Sequence, residues 1–158
     1  MTLQQCSIDV LHPREACPIA EPGNQYLYLT GNWYDSTSSK VIKYGLDGFR
    51  EELPSLNKGR WDHGCAGYYN EDNKFVLLVT GGFVKHKTGG ILSISMLLLN
   101  IKLLLSLRGT ERTASTEIFK VGVSRAWMDV SSLPSPLGSA QAVSVNNNIY
   151  LLGLCRIS

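Results

Sequence analysis

The chain has 158 residues, about one domain's worth on the usual prior of roughly 100–200 residues per domain. Hydrophobic residues at 44% and charged residues at 18% allow a packed core and exclude a wholly disordered chain, and four cysteines are too few for a disulfide-dense scaffold. Fifteen Lys and Arg against thirteen Asp and Glu leave a formal charge of +2, too small for a chain-wide nucleic-acid or membrane-surface footprint.

The opening stretch MTLQQCSIDVLHPREACP has no charged segment leading into an apolar one, so no signal peptide is read there. With no Asn-x-Ser/Thr sequon anywhere, a cytoplasmic setting is favoured. Cys6, Cys17, Cys65 and Cys155 form no C-x-x-C pair and no zinc spacing. Reduced, buried thiols are expected, with Cys6–Cys17 as the candidate bridge in an oxidising compartment.

Three short apolar runs then end alike: Tyr26-Leu-Tyr-Leu-Thr-Gly31-Asn32, Val76-Leu-Leu-Val-Thr-Gly81-Gly82 and Ile149-Tyr-Leu-Leu-Gly153-Leu154. Each reads as a buried strand closed by glycine. Ser38-Ser-Lys-Val-Ile-Lys-Tyr-Gly45 recurs as Ser115-Thr-Glu-Ile-Phe-Lys-Val-Gly122, and Phe49-Arg-Glu-Glu-Leu-Pro54 recurs as Trp127-Met-Asp-Val-Ser-Ser-Leu-Pro134. Asn70-Glu-Asp-Asn73 and Asn146-Asn-Asn148 supply turns between paired runs, and Ala142-Val-Ser-Val145 alternates as a half-buried strand does. Gly31 and Gly81 are 50 residues apart, Gly81 and Gly153 72. Most of the excess falls between Gly81 and Ser115, so one insertion, residues 88–114, interrupts a regular repeat.

A period near 50 built of short strands is the mark of a propeller blade, and the chain resembles the kelch-repeat family on these residues. The resemblance covers residues 26–87 and 113–154 and rests on Gly31, Tyr44, Phe49, Gly81, Gly82, Phe119, Trp127 and Gly153. It departs from the pattern where Asn32 and Leu154 stand for a second glycine and Phe49 stands for Trp. The fold class implied is all-β: a partial kelch-type β-propeller of about two four-stranded blades, with an apolar insertion in the second. Residues 1–25 would end a preceding blade or form an N-terminal segment. Repeat 1 would span 26–80, repeat 2 would span 81–153, and 154–158 would be a truncated tail. Tyr44, Phe119, Phe49 and Trp127 would pack one sheet on the next. Because propellers close with about 4–8 blades, the chain reads as a fragment of a longer protein, or as one that assembles with copies or partners.

Within the insertion, ILSISMLLLNIKLLLSL at 91–107 contains Asn100 and Lys102, and a membrane span there would pull apart strands of one blade. Membrane association is not expected. A segment read through from non-coding message is the favoured reading, with a short covering helix as the other candidate.

Signals for chemistry are near misses. Gly81-Gly-Phe-Val-Lys-His-Lys87-Thr88 lacks the glycine that a phosphate loop needs where His86 stands. Asp62-His63-Gly-Cys65 puts Cys and His in parallel on one strand, a poor nucleophile–base pair, and His63 reads as structural. Glu51-Glu52 and Glu71-Asp72 read as solvated acids, Lys85-His86-Lys87 as an ordinary basic loop. Some kelch-like propellers are copper oxidases, but His12, His63 and His86 show no converging ligand set. The expectation is therefore a non-catalytic protein-binding module with no cofactor, no metal and no nucleic acid, its protein partner unidentified. The alternatives are a nucleotide- or copper-binding enzyme and a membrane-anchored fragment. Equivalent loops after the glycines carry the candidate contacts Trp33, Tyr34, Asp35, Phe83, Lys85 and Lys87. Many kelch relatives are substrate receptors of ubiquitin ligases, through a further domain not present in this sequence.

Overall fold

The computed structural model describes residues 16–31, 39–85, 110–146 and 148–154, and every described element is a β-strand. The first sheet is a four-stranded antiparallel meander of β1 (Cys17–Ala20), β2 (Tyr26–Thr30), β3 (Val41–Gly45) and β4 (Arg50–Leu53). A two-residue strand β5 (Arg60–Trp61) precedes β6 (Gly64–Tyr69), β7 (Phe75–Thr80) and β8 (Phe83–Lys85). Further on lie β9 (Thr110–Arg112), β10 (Thr116–Lys120), β11 (Met128–Val130), β12 (Gly138–Val145) and β13 (Asn148–Leu154). Strands β6, β7, β10 and β11 form the second four-stranded sheet, β12 and β13 a two-stranded third, and β5, β8 and β9 a small ribbon.

Registers show why the sequence repeats. Thr30 pairs with Val41 and Leu27 with Tyr44; in the second sheet Thr80 pairs with Thr116 and Leu77 with Phe119. The recurring blocks are thus the second and third strands of successive sheets. The sequence period and the sheets are offset by one strand, since β1, within the 1–25 segment, pairs with β2. Asn73 and Asn146 adopt left-handed φ of 55° and 50° in the hairpin turns, a conformation Asn tolerates better than most residues.

The main core lies between the first two sheets. Ile19, Tyr28 and Val41 on one side meet Cys65, Phe75, Leu77, Val79, Phe119 and Trp127 on the other. Phe119 and Trp127 are each 3% exposed with ring centroids 5.5 Å apart, and the Trp127 indole N–H donates to Pro54 O at 2.8 Å. These two rings hold sheet on sheet as expected. Tyr44, the counterpart of Phe119, packs on the far face of the first sheet with Ala16, Leu29 and Ile42. Phe49 departs from its expected role: it is 45% exposed, and its neighbours are Tyr26, edge-on at 6.4 Å, and Lys43. The step from Tyr44 to Phe49 is shorter than that from Phe119 to Trp127, and the tight turn sends the ring to the opposite face from Tyr44.

Two further corrections concern the cysteines and the insertion. Cys17 is bonded to Cys65, not to Cys6, so the described cysteines are a disulfide joining β1 to β6 across the core instead of reduced thiols. Thr110–Arg112, placed by spacing inside the 88–114 insertion, is strand β9 and pairs with β8, with Lys85 opposite Thr110. Thr113 then bridges to Leu137. Spacing arithmetic locates an excess but not which residues of it rejoin the sheet. The rest of that segment, including 91–107, lies outside the described residues, among which no helix is long and apolar enough to cross a membrane.

Candidate functional site

In a meander of this kind the strands alternate direction, so connections collect at two ends. One end carries connections of two to seven residues, 21–25, 46–49, 70–74, 121–127 and 146–147. The other carries 31–40, 54–63 and 81–115, each of ten residues or more, together with the seven-residue 131–137. At this long end a groove opens between β1, β6 and β12, the first strand of each sheet. Its cavity of about 520 Å³ is lined by Ala16, Cys17, Asp62, His63, Ser139 and Gln141 among others, and it falls within the roughly 300–1,000 Å³ usual for small-ligand sites. A second cavity of about 380 Å³ continues along the same strands toward the short turns, past Ile19, Gly67, Tyr69 and Val143.

The rim is built from two equivalent residues in unusual conformations. Asp62, just before β6, has φ 52°, and Ser139, at a bulge in β12, has φ 48°. Left-handed backbone in a non-glycine residue costs on the order of 1 kcal/mol or more and tends to gather at functional or clamping sites. Here the two strained residues satisfy each other: Ser139 Oγ donates to Asp62 Oδ2 at 2.6 Å, and Ala140 N donates to Asp62 O at 3.1 Å. An exposed carboxylate and hydroxyl are thereby held at the groove mouth. Sequence reading noticed Asp62 only as a neighbour of His63 and passed over Ser139. The bulge that creates the pair has no local signature.

Beneath the rim, His63 is buried and shares a hydrogen bond of 2.9 Å between Nε2 and Thr30 Oγ1. Burial, reinforced by the Arg60 charge, pushes its pKa down to about 3, so the ring is neutral near pH 7. Among the described residues its Nδ1 has no hydrogen-bond partner. Gly31 and Gly82 explain the fit. A Cβ on Gly31, at φ 70°, would stand 2.5 Å from His63 Cε1, and one on Gly82, at φ 85°, 2.6 Å from His63 Cβ. Gly81, the counterpart of Gly31, has φ 64°, and a Cβ there would stand 3.1 Å from Leu137 O and 3.4 Å from Ala140 Cβ, so the recurring glycine is where a sheet admits the incoming connection. Gly153 takes no left-handed conformation and lies within β13. The Cys–His pairing is ruled out by the bridge from Cys65 to Cys17, and His63 keeps the structural role read from the sequence.

Deeper still, Arg60 and Glu117 are both fully buried. Arg60 Nη1 donates to Gly81 O at 3.0 Å and Ser115 O at 2.9 Å, while Nη2 donates to Ser115 Oγ at 2.9 Å and to the Glu117 carboxylate. Glu117 in turn accepts from the backbone N–H of Asn57 at 2.6 Å and of Lys58 at 3.1 Å. Burial lowers the Arg60 pKa from its ordinary value, opposed by the Glu117 charge. The pair locks the 54–63 connection onto the second sheet. Neither residue was singled out from sequence, where a lone Arg and a lone Glu carry no spacing signal.

Of the expected contact residues, Phe83 is committed to packing: it stacks on Trp61 at 5.9 Å, with the Arg112 guanidinium 5.9 Å from its ring centre. Lys85 ends β8; Trp33, Tyr34, Asp35 and Lys87 lie outside the described residues. Because Phe83–Lys85 is a strand, the backbone after Gly82 does not wrap as a phosphate loop would. Among the described residues no three of His, Cys, Asp and Glu gather as a metal site.

No family model matches the chain, and no curated protein does. The solved structure of YjhT is similar to it in fold, with a TM-score of 0.59 at 12% identity, over 87% of this chain and 37% of that one. The chain thus spans little more than a third of YjhT's length. Two twisted four-stranded antiparallel meanders, a third begun beside them and a propeller-like neighbour identify the fold as a partial β-propeller.

Proposed function

We propose that this chain is part of a kelch-type propeller acting as a non-catalytic protein-binding module, and that it is a piece of a longer protein. The observation that carries the reading is the asymmetry of the two ends. The three connections of ten residues or more leave the sheets at the end where Asp62 and Ser139 are held at the groove mouth, and those at the other end have seven residues or fewer. Loops on a rigid scaffold are where recognition residues concentrate. The kelch assignment is supported by the glycine that admits His63 and by Phe119 and Trp127 between sheets. The Cys17–Cys65 bridge favours an oxidising compartment over the cytoplasmic setting read from the sequence start.

Site-specific photocrosslinking in the natural source tests the reading, with the probe at Asp62 or Ser139 on one end and at Asp47 or Asp72 on the other. A discrete crosslinked protein from the first pair alone is expected. Equal labelling from both ends overturns the assignment of the face. Saturable binding of copper or a nucleotide by the pure chain replaces the binding module with the enzyme alternative.

A further inference from the structure

The bridge that joins the first two sheets is also part of the groove wall. Cys17 and Cys65 both line the cavity of about 520 Å³, beside Asp62, His63 and Ser139. β1, β6 and β12 are the first strands of their sheets, and a propeller sets its sheets around a central channel. Further sheets of a longer chain would therefore extend the wall around this groove without filling it. The two sulfurs of the bridge are not equivalent. Cys65 is 4% exposed and belongs to the main core, whereas Cys17 is only partly buried against it.

Cys65 is also placed to exist as a thiol. Its Sγ lies 3.6 Å from Pro18 O, within reach of an S–H donor, although a half-cystine has no proton to give. The groove discriminates among reagents by charge. His63 is neutral near pH 7, which leaves Asp62 as the sole formal charge among the described residues that line the cavity. That carboxylate is exposed and fixed at the mouth by the hydrogen bond from Ser139 Oγ at 2.6 Å. A cationic thiol is drawn toward it and an anionic one repelled.

We propose that Cys17 Sγ is a modification site for a small aminothiol, which enters the groove past Asp62. The thiolate attacks Cys17 Sγ, the Cys17–Cys65 bond breaks, and a new S–S bond joins Cys17 to the aminothiol. The electron pair of the broken bond leaves on Cys65 Sγ, which takes up a proton from water and then donates a hydrogen bond to Pro18 O. One disulfide is exchanged for another, so no separate oxidant or reductant is consumed. Access decides which sulfur is attacked, and it favours the less buried Cys17. The site does not depend on the groove mouth being a protein-binding face.

The test uses the full 158-residue chain carrying Cys6→Ser and Cys155→Ser, so that the bridge holds its remaining cysteines. Cysteamine or mercaptoethanesulfonate, probes of similar size and opposite charge, is added at mildly alkaline pH. The reaction is quenched in acid at low conversion and the adduct mapped by mass spectrometry. Each rate is divided by the same thiol's rate with a small free disulfide, which removes differences in intrinsic reactivity. The expected product carries cysteamine on Cys17 and a free thiol at Cys65, and cysteamine should react about threefold faster than the sulfonate after normalisation. Asp62→Asn, which keeps an acceptor for Ser139, should bring the two normalised rates together. An adduct on Cys65 or on both sulfurs equally overturns the proposal, as does no reaction with the folded chain. So does a rate that follows the population of unfolded chain as urea is added, equal normalised rates for the two thiols, or a preference for cysteamine that survives Asp62→Asn.

Discussion

The seam between the first and second sheets and the seam between the second and third are built from the same repeat, yet only the first is sealed. At the first, Tyr28, Phe75, Leu77, Val79, Phe119 and Trp127 interdigitate, a disulfide crosses it, and a buried ion pair holds the connection between the two sheets onto the second. At the second, Gly64 lies against Leu151 and Ala142, so small residues meet a half-buried hairpin whose other face is exposed. A repeat specifies a sheet's own pairing. How firmly one sheet is held on another depends on residues that vary between copies. Ile42 and Glu117 occupy equivalent places, yet one packs with Ala16 and Leu29 while the other anchors two backbone amides and Arg60.

The bridge between Cys17 and Cys65 should be the largest single contributor to that difference. It closes a loop of 48 residues, and in the chain-entropy account removing such a cross-link costs about 4 kcal/mol. Cys17→Ser with Cys65→Ser should lower the urea midpoint accordingly. An unchanged midpoint would show that the first seam is held by packing alone. Glu117→Gln comes next, at about 3 kcal/mol, because Arg60 would remain buried and charged with one neutral partner in place of a carboxylate. A cost near that of a surface substitution would mean that the connection at 54–63 is free to shift and solvate the guanidinium.

His63 gives the first seam a pH dependence. The folded protein holds the ring neutral, with a pKa of about 3, whereas the unfolded chain takes up a proton near the ordinary value of 6.5. Stability from this group is therefore complete above pH 6.5 and falls as the pH drops toward 3. At pH 5 the loss is about 2 kcal/mol, from roughly 1.4 kcal/mol per pH unit. Urea titrations at pH 7 and pH 5 measure it, and His63→Asn should flatten the slope whatever its effect at pH 7. A slope that survives the substitution assigns the acid limb to other groups.

Strands, turns and the inter-sheet aromatics were legible because each leaves a local trace: an apolar run into glycine at Thr80-Gly81, an Asn cluster at 146–148, Phe119 eight residues before Trp127. What escaped depends on contacts distant in sequence. Cys17 meets Cys65 only once two sheets face each other, and Arg60 meets Glu117 across 57 residues. Phe49 misled because its motif position was right while a shorter turn reversed its face. The groove mouth escaped for a related reason. Asp62 and Ser139 are joined by a bulge in β12 that the alternating pattern of that strand does not announce.

The smallest effect bears on the second seam itself. Leu77 is fully buried in the first seam, and Leu77→Ala should cost about 3 kcal/mol, within the usual range for a packed leucine. Leu151 is half-buried at the second, on a hairpin that ends in an open edge. Leu151→Ala should cost only about 1 kcal/mol, since little of its surface leaves water and the loosely held hairpin can settle into the space. Urea titrations of the two variants measure the contrast, and a cost for Leu151→Ala equal to that of Leu77→Ala would mean that the second seam is packed as tightly as the first.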